Sequence, residues 1–267
     1  MSDIDLTGRP FAVVTGASTG IGRQLGLQMA ERGYDLLVTA DDEALVGAAE
    51  EMRQHGTHVD PVQVDLRSVD GVDQLVSAIR GRGRAPDALL LNAGTGVSGA
   101  FLDEPLDDHL DVLAVNVTSV LRTFHAIVPD MVQRGDGRVL ITSSVTAAAP
   151  GPYISVYSAS KAFLQSFSQA VRTELSDSGV TVTALMPGPT DTEFFERADM
   201  LDTRLGQMNK DDPADVARDG IEAMLAGKDH VVGGAAKNHL TVAAWSLAPE
   251  KLASAINTRF TKPGTGD

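Results

Sequence analysis

The sequence contains no cysteine among its 267 residues. Disulfide bonds, thiolate-bound zinc and cysteine nucleophiles are therefore excluded. The absence of cysteine fits a reducing compartment, and we expect a cytoplasmic protein. Histidine is also sparse, with six scattered residues. The closest pair, His55 and His58, lacks a recognisable third ligand, so we predict surface residues and no metal site.

Basic residues are few compared with acidic ones. The chain has 22 Lys and Arg against 36 Asp and Glu, a formal net charge of −14. This charge opposes binding to nucleic acid and to anionic membranes, so neither is an expected partner. No uninterrupted apolar run approaches the length of a bilayer span, and the first residues lack the layout of a secretion signal. We expect a soluble protein that acts on a small-molecule substrate.

Short apolar runs alternate with longer amphipathic segments along the chain. Strands are predicted at residues 11–14, 35–39, 58–64, 88–91, 138–142, 180–185 and 230–232, and helices up to residue 32 and at 43–55, 68–80, 106–132 and 157–176. This alternation is typical of βαβ units, and the nearly continuous apolar character of the strands indicates helices on both faces. We predict a single-domain α/β fold over residues 1–267, with a Rossmann-type doubly wound parallel sheet of about seven strands. A C-terminal helical extension is predicted at 240–260, which could cover the functional site, pack on a neighbouring subunit or complete the core.

A glycine-rich loop follows the first strand and reads TGASTGIG from Thr15 to Gly22. In a dinucleotide site, Gly16 permits the tight turn, Gly20 lets backbone N–H groups approach a pyrophosphate, and Gly22 allows the helix to pack closely on the sheet. The positive end of the helix adds attraction for phosphates. The loop therefore predicts a nucleotide site that includes Ser18 and Ile21. A glycine turn without a ligand is the alternative.

Two aspartates, Asp41 and Asp42, stand about 20 residues further on, just after the second strand. A carboxylate there accepts hydrogen bonds from ribose hydroxyls and repels a 2′-phosphate. Because Arg23 is the only basic residue close by in sequence, we predict NAD as the cofactor, with NADP as the alternative. One or both aspartates could instead cap the following helix.

Tyr157 and Lys161 are four residues apart, so a helix places them on one face. Ser144 lies thirteen residues earlier, just beyond the fifth strand. A nearby ammonium and an oxidised nicotinamide ring would favour the tyrosinate, and lowering its pKa from about 10 to about 7 needs roughly 4 kcal/mol. Ser144 could donate a hydrogen bond to the substrate oxygen as charge develops there. Taken alone, such a Tyr–Lys pair is usually a surface pair.

Six spaced motifs together make the sequence resemble the short-chain dehydrogenase/reductase family. They cover residues 10–195 and are Thr15-Gly16-x-x-x-Gly20-x-Gly22, Asn92-Ala93-Gly94, Asn116, Ser144, Tyr157-x-x-x-Lys161 and Pro187-Gly188-x-x-x-Thr192. The resemblance implies a catalytic tetrad of Asn116, Ser144, Tyr157 and Lys161. In it, Tyr157 passes the proton, Lys161 binds the nicotinamide ribose and lowers the tyrosine pKa, and Asn116 holds a water that links Lys161 to solvent.

The same resemblance implies further contacts with the cofactor. These involve Asp65 and Leu66 at the adenine, Asn92, Ala93 and Gly94 on the adenosine side, and Pro187, Gly188, Thr190 and Thr192 near the nicotinamide carboxamide or phosphates. One departure concerns Ala40 and Asp41. Relatives that prefer NAD often carry their acid at the position of Ala40, whereas relatives that prefer NADP often place an arginine at the position of Asp41. A homodimer or homotetramer is implied, through the helices that contain Asn116 and Tyr157.

The resemblance also implies a mobile substrate lid at 191–209. Apolar residues in or near this lid should shape a substrate pocket, namely Val145, Pro189, Phe194 and Phe195. They predict an apolar substrate, unless the phenylalanines pack on the protein itself. The leading hypothesis is an oxidoreductase that transfers a hydride between the cofactor and a carbonyl or secondary alcohol. A catalytically silent cofactor-binding sensor is the alternative, although the intact tetrad argues against it. A sugar-nucleotide epimerase or dehydratase fits less well, because its usual glycine spacing and larger C-terminal domain are absent.

Overall fold

Seven parallel strands form one sheet in the computed structural model, which describes residues 8–266 except for the side chains at 246 and 247. The strands are β1 (Phe11–Thr15), β2 (Asp35–Ala40), β3 (Val59–Gln63), β4 (Ala88–Leu91), β5 (Gly137–Thr142), β6 (Val180–Pro187) and β7 (His230–Gly233). Their spatial order is β3-β2-β1-β4-β5-β6-β7, and every neighbouring pair is parallel. The predicted Rossmann-type doubly wound sheet is confirmed.

Helices lie on both faces of this sheet. They are α1 (Gly20–Glu31), α2 (Ala44–Arg53), α3 (Val69–Arg80), α4 (Leu106–Leu113), α5 (Ser119–Arg134), α6 (Ser155–Glu174), α7 (Phe194–Arg197), α8 (Arg204–Gln207), α9 (Pro213–Leu225), α10 (Ala236–Leu247) and α11 (Glu250–Thr261). A π-helical turn, Ala114–Thr118, joins α4 to α5, and a 3₁₀ turn, Val145–Ala148, follows β5. The predicted lid contains α7 and α8, and its mobility stays a prediction.

Two apolar layers hold the helices to the sheet. Successive strand residues point to opposite faces. Val14 therefore packs in one cluster with Leu25 of α1, while Val13 packs in the other with Leu75 of α3 and Ile127 of α5. All of these side chains are fully or almost fully buried. Each buried side chain of this size contributes about 1.5–3 kcal/mol to the stability of the fold, so the two layers hold the helices firmly against the sheet.

The continuous helix Leu106–Arg134, formed by α4, the π-helical turn and α5, is long and apolar enough to cross a membrane by length and composition alone. No other described helix passes that test. This helix is not an uninterrupted apolar run, because it contains Asp111, Arg122 and Asp130 among other charged residues. In the structure the helix packs on the sheet through Val120, Ile127 and Met131, as the core helix of a globular domain does.

The carboxyl ends of β1 and β4 form the point where the strand order reverses. Thr15 ends β1, and its Oγ1 accepts hydrogen bonds from the backbone N–H groups of Asn92 at 2.9 Å and Ala93 at 3.0 Å. Open α/β sheets bind their ligands in the crevice at such a point. The glycine-rich loop after β1 and the Asn92 loop after β4 are thus held together at this edge of the sheet.

Candidate active site

One large cavity of about 1280 Å³ opens at the carboxyl ends of the strands. With the exception of Asn116, every residue predicted for the site lines it. These are Gly16, Ser18, Gly20, Ile21, Gly22, Asp41, Asp65, Leu66, Asn92, Ala93, Gly94, Ser144, Val145, Tyr157, Lys161, Pro187, Gly188, Pro189, Thr190, Thr192, Phe194 and Phe195. Residues that follow each of the strands β1 to β6, together with residues of α1, α6 and α7, therefore share a single space.

The glycine-rich loop forms one end of this cavity and admits no larger side chains. Gly16 and Gly20 have φ angles of +67° and +54°, which favour glycine. A Cβ on Gly22 would stand 1.8 Å from the carbonyl oxygen of Gly16, so α1 can approach the loop only because this side chain is missing. Thr19, the N-cap of α1, makes no side-chain capping hydrogen bond. The uncapped N–H groups fit the anionic pyrophosphate of a dinucleotide.

Two carboxylates and one guanidinium meet beyond this loop, at the ends of β2 and β3. Arg67 Nε donates to Asp65 Oδ1 at 2.9 Å, and its Nη2 lies 3.3 Å from Asp41 Oδ2. Partial burial acts to raise the pKa of Asp65, but the hydrogen bonds from Arg67 hold this pKa below its usual value. Arg67 also lines the cavity. Sequence reasoning missed it, although its place directly after Asp65 and Leu66 was an available signal.

Asp42 has a different role from Asp41. Its Oδ1 accepts from the backbone N–H of Ala44 at 3.1 Å, at the start of α2, as the capping alternative predicts. Its Oδ2 accepts from Ser18 Oγ at 2.9 Å and from Arg197 Nη2 at 3.3 Å. Asp42 thus joins the glycine-rich loop to the predicted lid, and Asp41 is left to face the cavity. Arg23, the basic residue close by in sequence, instead pairs with Glu51 of α2.

Asn116 lies one layer behind the cavity and is fully buried in the π-helical turn. Its Oδ1 accepts from the Thr95 N–H at 2.8 Å, and its Nδ2 donates to the Thr95 carbonyl and to Ser160 Oγ, both at 2.9 Å. Both amide hydrogens are therefore used within the protein. The amide thus fixes the loop at Thr95 against α6, and the role of Asn116 in holding a water stays a prediction.

Tyr157 and Lys161 lie on one face of α6, but they do not bond to each other. Lys161 Nζ is 5.8 Å from the Tyr157 ring centroid and donates to the Thr142 carbonyl at 2.9 Å. Burial lowers the pKa of Lys161 to about 8. Burial also raises the pKa of Tyr157 to about 12, against the opposing effect of a hydrogen bond with Ser144. The expected fall in the tyrosine pKa is therefore not produced by Lys161 in the protein alone, because desolvation outweighs a partner at this distance.

Ser144 stands beside Tyr157 with its hydroxyl oriented by Thr146. Its Oγ accepts from the Thr146 backbone N–H at 3.1 Å and from Thr146 Oγ1 at 3.0 Å. A hydroxyl offers two acceptor sites and one donor. With both acceptor sites used, the Ser144 proton is left for the hydrogen bond with Tyr157, and both residues line the cavity. Thr146 also lines the cavity and was missed from the sequence.

The other end of the cavity is largely apolar. Phe194 packs against Tyr157, with ring centroids 5.1 Å apart, and Phe195 is buried among Ile154 and Met200. The alternative that the phenylalanines pack on the protein therefore describes Phe195 best. Sequence reasoning did not assign the C-terminal helices to this wall, although it left open that they cover the site. Their contributions are Leu240, Ala244, Trp245, Leu252, Ile256 and Phe260.

Comparison with known proteins decides the family. The model of the short chain dehydrogenase family matches residues 10–200, which is more than half of the chain. This chain belongs to the short-chain dehydrogenase family. The match agrees with the resemblance drawn from the motifs of the sequence.

Several short-chain dehydrogenases and related proteins are similar to this chain. The probable oxidoreductase EphD of Mycobacterium tuberculosis is 33 % identical over 214 residues, which are 76 % of this chain but only 36 % of that protein. A solved short-chain dehydrogenase from Sphingobium yanoikuyae, in complex with NADPH, is 29 % identical with a TM-score of 0.78, covering 84 % of this chain and 87 % of its own. The bulky-bulky ketone specific alcohol dehydrogenase from Comamonas testosteroni is 26 % identical with a TM-score of 0.75, covering 85 % and 86 %.

Proposed function

We propose that the protein is a nicotinamide-dependent oxidoreductase that interconverts an apolar secondary alcohol and its ketone, with Tyr157 as the proton donor and acceptor. The observation that carries this proposal is the position of Tyr157 in the cavity. Its ring packs against Phe194 of the apolar end, and its hydroxyl is paired with Ser144. Lys161 lies close to Gly94 of the loop after β4: a Cβ atom added to Gly94 would stand 3.1 Å from the Lys161 Nζ.

The residues of one half of the cavity fit a nicotinamide dinucleotide. When bound, the cofactor supplies or accepts the hydride. The uncapped start of α1 and the glycine-rich loop bind the pyrophosphate, and Asp41 accepts hydrogen bonds from ribose hydroxyls. Pro187 ends β6, and Gly188, Thr190 and Thr192 follow it. All four line the cavity, where they would complete the nicotinamide end.

Proton transfer belongs to this chain's own side chains. In the reducing direction Tyr157 donates its hydroxyl proton to the substrate oxygen, and Ser144 donates a hydrogen bond to the same oxygen. Burial keeps Tyr157 protonated in the free protein, since it raises its pKa to about 12. Lys161, with a pKa of about 8, is mostly an ammonium at neutral pH and stabilises the tyrosinate that remains.

NAD is the cofactor that we propose. Asp41 faces the cavity with a half-exposed carboxylate, which repels a 2′-phosphate. The two guanidiniums nearest to this end are paired with acids, Arg67 with Asp65 and Asp41, and Arg197 with Glu193 and Asp42. The Sphingobium structure contains NADPH, which makes a direct comparison of the two cofactors necessary.

An apolar and bulky substrate is supported by the wall opposite the glycine-rich loop. Phe194, Trp245, Leu252, Ile256 and Phe260 all line this end. Because burying apolar surface contributes about 25 cal/mol per Å², such a wall favours large hydrocarbon groups on the substrate. The Comamonas enzyme, a bulky-bulky ketone specific alcohol dehydrogenase, is consistent with this choice.

A carbonyl screen tests the proposed reaction. The purified protein is mixed with NADH or NADPH and a panel that runs from acetone to bulky aryl and polycyclic ketones, and loss of nicotinamide absorbance is followed. We expect turnover with NADH that increases with the size of the apolar groups. Cofactor binding without turnover of any ketone, or of any alcohol in the reverse direction, would overturn the proposal in favour of a binding-only sensor.

We also propose a homodimer or homotetramer, formed through α4 and α6. Leu106, Leu110 and Leu113 recur at helical spacing on α4 and are exposed. Leu102, just before α4, and Phe163 of α6 are exposed as well. Leucines on one exposed helix face are typical of a protein interface. Light scattering should give a multiple of 28.0 kDa for the native protein and a smaller mass for the double variant Leu106→Asp/Leu110→Asp. A monomeric native protein would contradict this assignment.

A further inference from the structure

The loop over residues 149–154 forms part of the cavity wall immediately before Tyr157. Gly151 and Ile154 line the cavity, and Tyr153 has a φ of +64°, an unfavourable value for a bulky residue. A Cβ on Gly151 would stand 2.1 Å from Ser158 Oγ, so the loop lies directly on α6. A strained loop at this position needs external support to keep one conformation.

That support comes from α11. Asn257 Nδ2 donates to the Pro150 carbonyl at 2.7 Å. Thr261 Oγ1 lies 2.6 Å from the Pro152 carbonyl and 2.8 Å from the Asn257 carbonyl of its own helix, and its one proton is shared between these two acceptors. The two donors are four residues apart and therefore share one helix face. Both side chains are about 95 % buried, with exposures of 5 % and 4 %. Buried hydrogen bonds of this kind are costly to leave unmade, so the pairing holds the loop firmly.

The same helix also carries substrate-facing side chains and reaches the predicted lid. Leu252 and Ile256 of α11 line the cavity. Beyond the end of α11, the backbone N–H of Gly264 donates to Asp202 Oδ2 at 2.7 Å, and that of Gly266 donates to the Asp202 carbonyl at 2.8 Å. The position of α11 is therefore coupled to both sides of the substrate end.

We propose that Asn257 and Thr261 are positioning residues, which fix the 149–154 loop and thereby set where the substrate lies relative to Tyr157. The proposal rests on the proposed function. Both residues lie beyond residue 200, where the match to the family model ends. They act through the loop carbonyls and do not take part in the chemistry.

Three variants and a control test this role: Asn257→Ala, Thr261→Val, the conservative Thr261→Ser, and Thr258→Ala. Thr258 is on the same helix, but its hydroxyl donates to the Ser254 carbonyl within α11. For each variant we would measure hydrogen exchange of the amides in residues 151–156, the Kd for NADH, and kcat and KM for the best ketone of the screen.

We expect Asn257→Ala and Thr261→Val to speed exchange in the loop and to lower kcat/KM by about 10- to 100-fold, mainly through KM. The Kd for NADH should stay within about two-fold, and Thr261→Ser, which keeps the donor, should restore both readouts. Unchanged loop exchange in both variants, or a loss of kcat/KM that Thr258→Ala shares, would overturn the proposal. If the native protein reduces no ketone, the proposed function fails, whereas loop exchange still decides whether α11 fixes the loop.

Discussion

Lys161 donates its side-chain hydrogen bond to the Thr142 carbonyl, 2.9 Å away, and stands 5.8 Å from the Tyr157 ring centroid. The lysine is thus held beside the tyrosine by the end of β5 and not by the tyrosine itself. Burial favours the neutral form of each group, which lowers the pKa of Lys161 to about 8 and raises the pKa of Tyr157 to about 12. This arrangement has consequences for stability and for catalysis.

The buried lysine should make stability depend on pH. Its folded pKa of about 8 lies below the ordinary value of 10.5, so between these values the unfolded chain binds more protons and stability rises with pH. From pH 8 to pH 10 we expect the native protein to gain about 2 kcal/mol relative to Lys161→Met. Urea unfolding of both proteins at the two pH values measures this difference. If the free energy of unfolding changed equally with pH in the two proteins, the lowered pKa of Lys161 would be contradicted.

The hydroxyl of Ser144 should contribute mainly to the chemical step. Ser144→Ala removes the hydrogen bond to the substrate oxygen, and we expect kcat to fall by about 10²- to 10³-fold with the Kd for NADH unchanged. Thr146→Val removes one of the two hydrogen bonds that orient Ser144 and should lower kcat by about 5-fold. Ser168→Ala, which changes a serine that bonds within α6, is the control. If Thr146→Val lowered kcat as much as Ser144→Ala does, the assignment of Ser144 to the substrate oxygen and of Thr146 to the orientation of Ser144 would be contradicted.

The glycine-rich loop gives a matched pair of variants. In Gly22→Ala the new methyl group would stand 1.8 Å from the Gly16 carbonyl oxygen, and we expect stability to fall by about 1–3 kcal/mol and the Kd for NADH to rise at least about 10-fold. Gly47→Ala adds a methyl group to an exposed position of α2 with no atom within 4 Å. It should raise stability by up to about 1 kcal/mol and leave cofactor binding unchanged. Equal NADH affinity in both variants would argue against a cofactor at this loop.

Asp41 should set the preference for the cofactor. Fluorescence titration of the native protein should give a lower Kd for NADH than for NADPH. Asp41→Ser removes the repulsive carboxylate and one of the two acids paired with Arg67, so we expect the ratio of the two Kd values to shift toward NADPH by about 10-fold. Asp73→Ser, which breaks a surface pair with Arg122, should have no effect. Tighter binding of NADPH by the native protein would reverse the assignment.

The sheet and half of the site could be predicted from the sequence because their signals are local. The apolar strands, the loop from Gly16 to Gly22 and the spacing of Tyr157 and Lys161 each depend on residues close together in the chain. Parallel strands then bring their carboxyl ends to one edge, which collects Asp65, Asn92 and Ser144 without further information.

The remaining features depend on partners that are distant in sequence. Arg197 meets Asp42 across 155 positions, and Asn257 meets Pro150 across 107. Neither pairing has a local pattern. The effect of burial on Tyr157 was also out of reach, because desolvation depends on the three-dimensional surroundings of the ring, including Phe194.

The central claim is that Tyr157 transfers the proton, and substitution of this one hydroxyl tests it most directly. Turnover of the best ketone and the Kd for NADH would be measured for the native protein, Tyr157→Phe and the control Tyr34→Phe, which lies at the opposite end of the sheet before β2. We predict that Tyr157→Phe loses about 10²- to 10⁴-fold in kcat while its Kd for NADH and its fold are retained, and that Tyr34→Phe stays active. Turnover by Tyr157→Phe at the native rate would contradict the account.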